Sequence, residues 1–148
     1  MLIRGKYTKT MRYDVSYNQV GLIEYNLNNP LNKIDFIDAI LLRELNILSN
    51  AKGMNTKVFN NDTFVWASYK KLIDDLPTIG IDTKDGLAKR LKNRLIKNRL
   101  IEFKVDIKDN SKTYSRLTAI GLQTDSYRMT DRNPIGLQTE PLSDESQT

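Results

Sequence analysis

The segment "GLAKRLKNRLIKNRLIEF", residues 86–103, combines a regular leucine spacing with a run of cations. Leu87, Leu91 and Leu95 recur every four residues, so at about 100° per residue they share one side of a helix. The opposite side then holds Gly86, Lys89, Asn93 and Lys97, with Arg90 beside them. The spacing predicts a helix from residue 82 or 83 to about residue 98, with leucines toward a core and no acid on its outer face.

The positive charge of the chain is concentrated around this helix. Residues 84–116 contain eleven Lys or Arg against four acids, whereas residues 119–148 contain two arginines against five acids. Lysines of this kind can neutralise phosphates, and Asn or Arg can form paired hydrogen bonds to base edges. The alternative is a solvated face, but solvated helices usually mix signs. The single sign favours an anionic partner, nucleic acid in particular.

The rest of the chain supplies the elements around the basic helix. Hydrophobic periodicity, caps and turn residues predict short strands within residues 1–28, a helix at 33–49 capped by Asn32, and a loop at 50–62. A strand at 63–68 and a helix at 69–76 capped by Ser68 follow. The basic helix comes next, and strands at 100–107 and 113–120 end the series. From residue 33 onward, this order of helix, strand, helix, turn, helix and hairpin is that of a winged helix. We therefore predict an α+β fold with a three-helix core and a C-terminal β-hairpin wing.

Three parts follow from this division: an N-terminal extension with short strands (1–30), a winged-helix DNA-binding domain (31–118) and a low-complexity, flexible tail (119–148). Asn98 is expected to take the left-handed conformation that ends many helices. Trp66 and Tyr69 could stack on bases, but for Trp66 a place in the core on its strand is the stronger interpretation. The candidate packing residues of the hairpin are Phe103, Val105 and Tyr114.

The predicted DNA contacts come from the basic helix and the hairpin. On the helix and its first turn they are Lys84, Lys89, Arg90, Lys92, Asn93 and Lys97, and on the hairpin they are Lys104, Lys108, Lys112 and Arg116. The prediction requires that Lys89, Asn93 and Lys97 face away from the protein. For the hairpin residues, the alternative is an edge hairpin that only covers the core. The hairpin can both cover the core and contact DNA.

Composition argues against most enzyme chemistry. The chain has no cysteine and no histidine, which removes thiolate sites, disulfides, the usual general base and the commonest zinc ligand. There is no Walker-type or dinucleotide-binding glycine pattern, and "DTKDG" lacks the remaining ligands of a calcium loop. We expect no enzyme activity, no cofactor and no metal. No apolar segment is as long as a membrane span, and the N-terminus has no apolar h-region of a secretory signal. A cytoplasmic protein is therefore expected.

The stretch from "FVWASYKKLIDDL" through "GLAKRLKNRLIKNRLIEF" to the hairpin resembles the winged helix-turn-helix domains of phage and plasmid replication proteins. The matching positions are Trp66, Ser68, Tyr69, Leu72, Leu76, Leu91, Leu95, Leu100 and Ile101. That family usually has a glycine where this chain has Asn98 and Arg99, and its turn before the recognition helix is slightly shorter. The resemblance implies binding of double-stranded DNA at an origin, to initiate or organise replication.

The tail carries a repeat: "IGLQTD" at residues 120–125 returns as "IGLQTE" at residues 135–140. Three explanations stand. The repeat is an accident in an unconstrained tail, a peptide that docks a partner such as a replisome protein, or the trace of direct repeats in an origin within the gene. If the two coding copies differ at most synonymous positions, the last explanation fails.

Two alternatives to a replication role remain at this stage. Transcriptional repressors share the winged-helix fold, and the fold could also serve as a protein-interaction module in which charge only aids solubility. The N-terminal Arg4, Lys6, Lys9 and Arg12 could form an arm on DNA or an exposed strand for a homodimer.

Overall fold

The computed structural model describes residues 11–128, which form five helices and a four-stranded antiparallel sheet of strand order β1-β2-β4-β3. The helices are α1 (Gln19–Asn28), α2 (Phe36–Ser49), α3 (Tyr69–Asp75), α4 (Lys84–Arg90) and α5 (Ala119–Ser126). The strands are β1 (Thr56–Phe59), β2 (Asp62–Val65), β3 (Ile101–Asp106) and β4 (Lys112–Leu117). The predicted α+β class is confirmed, and the order of elements from α2 to β4 is compatible with a winged helix.

Helix α2 is the central helix of the core. Leu41, Leu42 and Leu45 on it are at most 1% exposed, as its apolar spacing requires. The helix begins after Asp35, whose side chain accepts from the amide of Asp38 while the Asp38 side chain accepts from the amide of Asp35. This reciprocal cap satisfies two free donors of the first turn. The cap predicted at Asn32 is therefore wrong by three residues.

The sheet begins earlier than predicted. Residues 56–59 were expected in a loop, but they form β1, which pairs with β2 from Thr56↔Val65 to Phe59↔Asp62. Asn60 and Asn61 connect the two strands with φ angles of 51° and 69°. A two-residue turn with both φ angles positive matches the twist of a hairpin, and asparagine tolerates this conformation better than most residues. The predicted strand at 63–68 is confirmed only as far as Val65.

Helices α3 and α4 follow the prediction closely. Ser68 caps α3 by accepting from the amide of Lys71, and Thr83 caps α4 by accepting from the amide of Gly86. A 3-10 turn, Pro77–Ile79, joins them and ends at Gly80 with a φ of 82°. Beyond Arg90, the helix continues as a π-helix over Leu91–Ile96. Leu87, Leu91 and Leu95 are at most 1% exposed, so the predicted core stripe is confirmed.

The hairpin of β3 and β4 closes the sheet, with Ile101 opposite Leu117 and Asp106 opposite Lys112. Tyr114 is buried and Phe103 packs against the core, as predicted. Val105 is 53% exposed because it lies nearer the tip, beyond the reach of the core, so its predicted packing role is wrong. The left-handed residue before β3 is Arg99, with a φ of 61°, and not Asn98. Asn98 instead donates its side-chain amide to the carbonyl of Arg94.

The predicted N-terminal strands are wrong where the structure describes them, because residues 19–28 form α1. Asn18 caps α1 by accepting from the amide of Gly21, and Tyr25 is buried against the core cluster. The alternation that suggested strands is overridden by packing against α5 and α2, which selects the helix. The segment with Arg4, Lys6 and Lys9 lies outside the described residues.

The tail is also ordered at its start. Residues 119–126, predicted to be flexible, form α5, which packs on α1, α2 and β4. Its hydrophobic periodicity is weak, and polar contacts and close backbone packing hold it in place instead. The second copy of the repeat lies outside the described residues.

Candidate nucleic-acid interface

The outer face of α4 and its π-helical continuation is open. Lys89, Asn93 and Lys97 are exposed, and so are Lys84 and Lys92. None of these four lysines makes an ion pair with another described residue. The condition that the sequence analysis placed on Lys89, Asn93 and Lys97 is therefore met: they do not pack against the hairpin or the first helices.

Arg90 departs from its predicted place on this face. Its Nη1 donates to Asp38 Oδ1 at 2.7 Å and to Asp35 Oδ1 at 2.9 Å. Arg94 joins the same cluster, with its Nε donating to Asp38 Oδ2 at 2.7 Å. Asp38 is fully buried, so it needs both partners. The two arginines thus fasten α4 to the start of α2, and Arg90 is removed from the open face.

The electrostatics of this cluster follow from its geometry. Burial alone would raise the pKa of Asp35, but the amide of Asp38 and the guanidinium of Arg90 outweigh burial and lower it. The hydrogen bond to Asp38 raises the pKa of Arg94. Both groups therefore stay charged at neutral pH, and the attachment between α2 and α4 is an ionic one.

A groove of about 230 Å³ lies beside α4, between the start of α3 and the tip of the hairpin. We call it the lysine groove, because Lys70, Lys84 and Lys112 line it together with Trp66, Ala67, Ser68, Tyr69, Ser111 and Thr113. The ammonium group of Lys112 lies 4.3 Å from the centroid of the Trp66 ring, within cation–π range. Trp66 is partly exposed, so its predicted place in the core is wrong: β2 ends one residue before it.

The groove also gathers hydroxyl groups. Burial raises the pKa of Tyr69, so its hydroxyl keeps its proton near neutral pH and remains a donor. Lysine ammonium and hydroxyl groups are common donors to phosphate oxygens in DNA complexes. The groove thus contains an aromatic ring in addition to hydrogen-bond donors that suit a phosphate. Lys70 was missed from the sequence because it stands in α3 and pairs with Asp74 at 2.6 Å, as an ordinary surface lysine does.

The hairpin cations fall into two groups. Lys104 and Lys108 make no ion pair with another described residue, and Lys108 is exposed. Arg116, in contrast, lies 3.1 Å from Glu102 and 5.6 Å from the Phe64 ring centroid. Lys112 lies 3.4 Å from Asp109 as well as over Trp66. The structure therefore brings Lys84 and Lys112 together, leaves Lys104 and Lys108 available, and engages Arg116 within the sheet.

Residues 11–128 offer neither a metal site nor a membrane-spanning helix. No cluster of three or more acidic side chains could hold a metal ion there. No helix of this part of the chain has the length and apolar character to cross a bilayer. Comparison with family models, curated proteins and solved structures yields no match.

Proposed function

We propose that this protein is a winged-helix protein that binds double-stranded DNA, with α4 as its recognition helix and the β3–β4 hairpin as its wing. The observation that carries the proposal is the exposed face of α4 and its π-helical continuation, where Lys89, Lys92 and Lys97 surround Asn93 without an ion pair inside the described protein. A surface of one charge sign that the protein itself leaves unneutralised suits a polyanion.

The shape of the surface supports a duplex as the ligand. The major groove is about 12 Å wide and admits one α-helix. With α4 in that groove, Asn93 would face base edges while Lys89 and Lys97 would contact the flanking phosphates. The lysine groove, beside α4, would receive a phosphate of the adjoining backbone through Lys84 and Lys112. Lys108, near the hairpin tip, would extend the contact further.

The proposed role in replication rests on the resemblance of residues 33–118 to winged-helix domains of phage and plasmid replication proteins. The DNA would then be an origin, which the protein initiates or organises. A transcriptional repressor with the same DNA contacts is the alternative. A footprint across the gene and its promoter distinguishes them, since protection of repeats inside the gene supports replication and protection of an upstream operator supports repression.

The DNA-binding proposal is tested with the double variant Lys89→Ala, Lys97→Ala. Binding of a labelled duplex is measured by fluorescence anisotropy from 50 to 200 mM salt, a range over which several phosphate contacts predict a loss of about a thousandfold or more. Each lost phosphate contact lowers the salt slope by about 1, so the double variant should show a slope smaller by about 2.

The control is Lys52→Ala, which removes one lysine charge from a part of the surface away from α4. Lys52 is exposed and follows the C-terminal end of α2, about 20 Å along that helix from the end that holds α4. This variant should bind as the wild type does. A shallow salt slope for the wild type, or equal losses in the control and the double variant, would favour a protein-interaction module instead.

A further inference from the structure

Helix α5 occupies a cleft formed by α1, α2, β4 and the residue that precedes β3, and its backbone touches the walls directly. A Cβ atom placed on Gly121 would collide with the carbonyl oxygen of Leu100. A Cβ atom on Gly21 of α1 would collide with the carbonyl oxygen of Thr124. Backbone atoms cannot move aside as a flexible side chain can, so glycine is required at position 121 of the bound helix.

Polar groups fix the register of α5 in this cleft. Asp125 is 5% exposed and accepts from Arg43 Nε at 2.9 Å and from Asn46 Nδ2 at 2.8 Å. The side chain of Asn18 donates to the carbonyl of Asp125 at 3.0 Å. At the other end, Thr118 caps the helix by accepting from the amide of Gly121. The α5 cleft thus requires a capping oxygen, a glycine three residues later and an acid four residues after that.

The second copy of the repeat meets all three requirements at the same spacing. Asn133 stands where Thr118 does, Gly136 where Gly121 does, and Glu140 where Asp125 does. Asparagine is a good capping residue, and Pro134 aligns with Ala119, the first helical residue of α5, a position that proline favours. The two flanking positions differ in residue type between the copies, but each keeps its functional group: a capping oxygen before the helix and a carboxylate near its end. That agreement extends beyond the five identical residues of the repeat.

We propose that the α5 cleft is a binding site for either copy of the repeat, and that residues 133–140 of the same chain can occupy it in place of α5. The second copy follows the first by fifteen residues, so a tether of that length holds it at an effective concentration in the millimolar range. Pro141 stands where α5 has Ser126, and proline disfavours a helical conformation at the residue before it. The second copy is therefore the weaker ligand, which agrees with the first copy filling the cleft in the structure.

The exchange gives the repeat a function as a peptide. Release of the first copy would leave the cleft filled by the second copy. The domain then need not expose the surfaces of α1 and α2 that α5 covers. This inference is independent of the proposed DNA binding, since the α5 cleft shares no residue with the open face of α4 or with the lysine groove.

The test is a double-mutant cycle in the full chain with Gly121→Val and Gly136→Val. Thermal midpoints are measured by circular dichroism. Gly136→Val alone should leave the midpoint unchanged, because the first copy holds the cleft. The combined variant should melt at least about 4 °C below Gly121→Val, a shift that corresponds to about 1 kcal/mol in a domain of this size. If Gly136→Val has the same negligible effect in both backgrounds, the proposal is wrong.

A milder pair keeps the test decisive should the Gly121→Val background not fold. Asp125→Ala removes the acid bound by Arg43 and Asn46, and Glu140→Ala should lower the midpoint only when combined with it. Light scattering on the Asp125→Ala variant, and on Gly121→Val where it folds, should give the monomer mass. Rescue that occurs only in a dimer would overturn binding within the same chain.

Discussion

At the scale of single residues, the most unusual environment is that of Glu44. Its side chain is 2% exposed and accepts from Arg12 Nε at 2.8 Å and Arg12 Nη2 at 3.1 Å. Burial raises the pKa of Glu44, the adjacent Asp75 raises it further, and Arg12 opposes both without cancelling them. Lys71 Nζ lies 3.2 Å from Asp75 Oδ2, which offsets part of the negative charge in this pocket.

The raised pKa of Glu44 predicts how stability depends on pH. In the folded protein the pKa of Glu44 lies above 4.5, the ordinary value that applies in the unfolded chain. The contribution of Glu44 to stability is therefore greatest below that pH and falls as the pH rises to the folded pKa. Glu44→Gln does not titrate and lacks this fall. Its stability relative to the wild type should increase between pH 4 and pH 7, by about 1.4 kcal/mol for each tenfold difference in proton affinity between the folded and unfolded states.

Urea denaturation of both proteins across that pH range measures the effect. Carboxylates outside this pocket, including Asp35 and Asp106 with lowered pKa values, contribute equally to the two proteins and cancel in the difference. A difference that stays constant or shrinks with rising pH would contradict the assignment.

At the scale of elements, the contact that sets the position of α4 is ionic and is centred on the fully buried Asp38. Arg90 and Arg94 meet the reciprocal cap of α2, so the residues that begin one helix also hold another. Arg90→Ala should lower the free energy of unfolding by about 3 kcal/mol, because Asp38 would stay buried with one cation fewer.

The neighbouring variant Lys89→Ala provides the comparison, since Lys89 is exposed and makes no ion pair in residues 11–128. It should change the free energy of unfolding by no more than about 0.5 kcal/mol. Chemical denaturation of the two variants tests the assignment. Equal stabilities would mean that Arg90 is not structural.

Helix α4 shows why the sequence predicted the exposed side of the helix but not the position of every basic side chain. The leucine spacing fixed the buried side, and Lys89, Asn93 and Lys97 follow from that. Arg90 lies at the border of the buried side, where the angle alone does not tell whether a long side chain turns toward solvent or toward α2. The decision depends on Asp38, which is distant in sequence and inconspicuous as an acid in the first turn of a helix. The π-helical turn has no recognisable signal in the sequence either.

At the scale of the whole molecule, α1 and α5 enclose the predicted winged-helix unit from both chain ends. Tyr25 and Tyr127 are buried there, and Arg43 pairs with Asp125. A fragment of residues 31–118 loses these contacts and should be less stable than residues 11–128 by about 3 kcal/mol or more, since burial of one large side chain is worth about 1.5 to 3 kcal/mol.

Thermal melts of the two fragments and of the full chain measure this difference. Residues 11–128 should match the full chain, because they retain the first copy of the repeat in its cleft. If residues 31–118 were as stable as residues 11–128, α1 and α5 would be attachments and not part of the folding unit.

The two enclosing helices also mark where sequence analysis was insufficient. Residues 33–117 carry strong periodicity and caps, and their helices and the β3–β4 hairpin were predicted, whereas β1 was expected to be a loop. Helices α1 and α5 are short and have weak hydrophobic periodicity. Gly21 of α1 lies against Thr124 of α5, and Gly121 of α5 lies against Leu100; glycine is ordinarily evidence against a helix. Their stability comes from close contact between distant segments, which no local pattern reveals.

The fastening of α4 by Asp38 has a consequence for any encounter with a long, stiff ligand. Because the helix is already set at its final angle, docking would be a rigid-body event with little backbone entropy left to lose. Association would then be limited by the rate of encounter, and the exposed lysines would raise that rate through long-range electrostatic attraction. The two arginines paired with Asp38 would set the geometry, and the exposed lysines would set the rate of association.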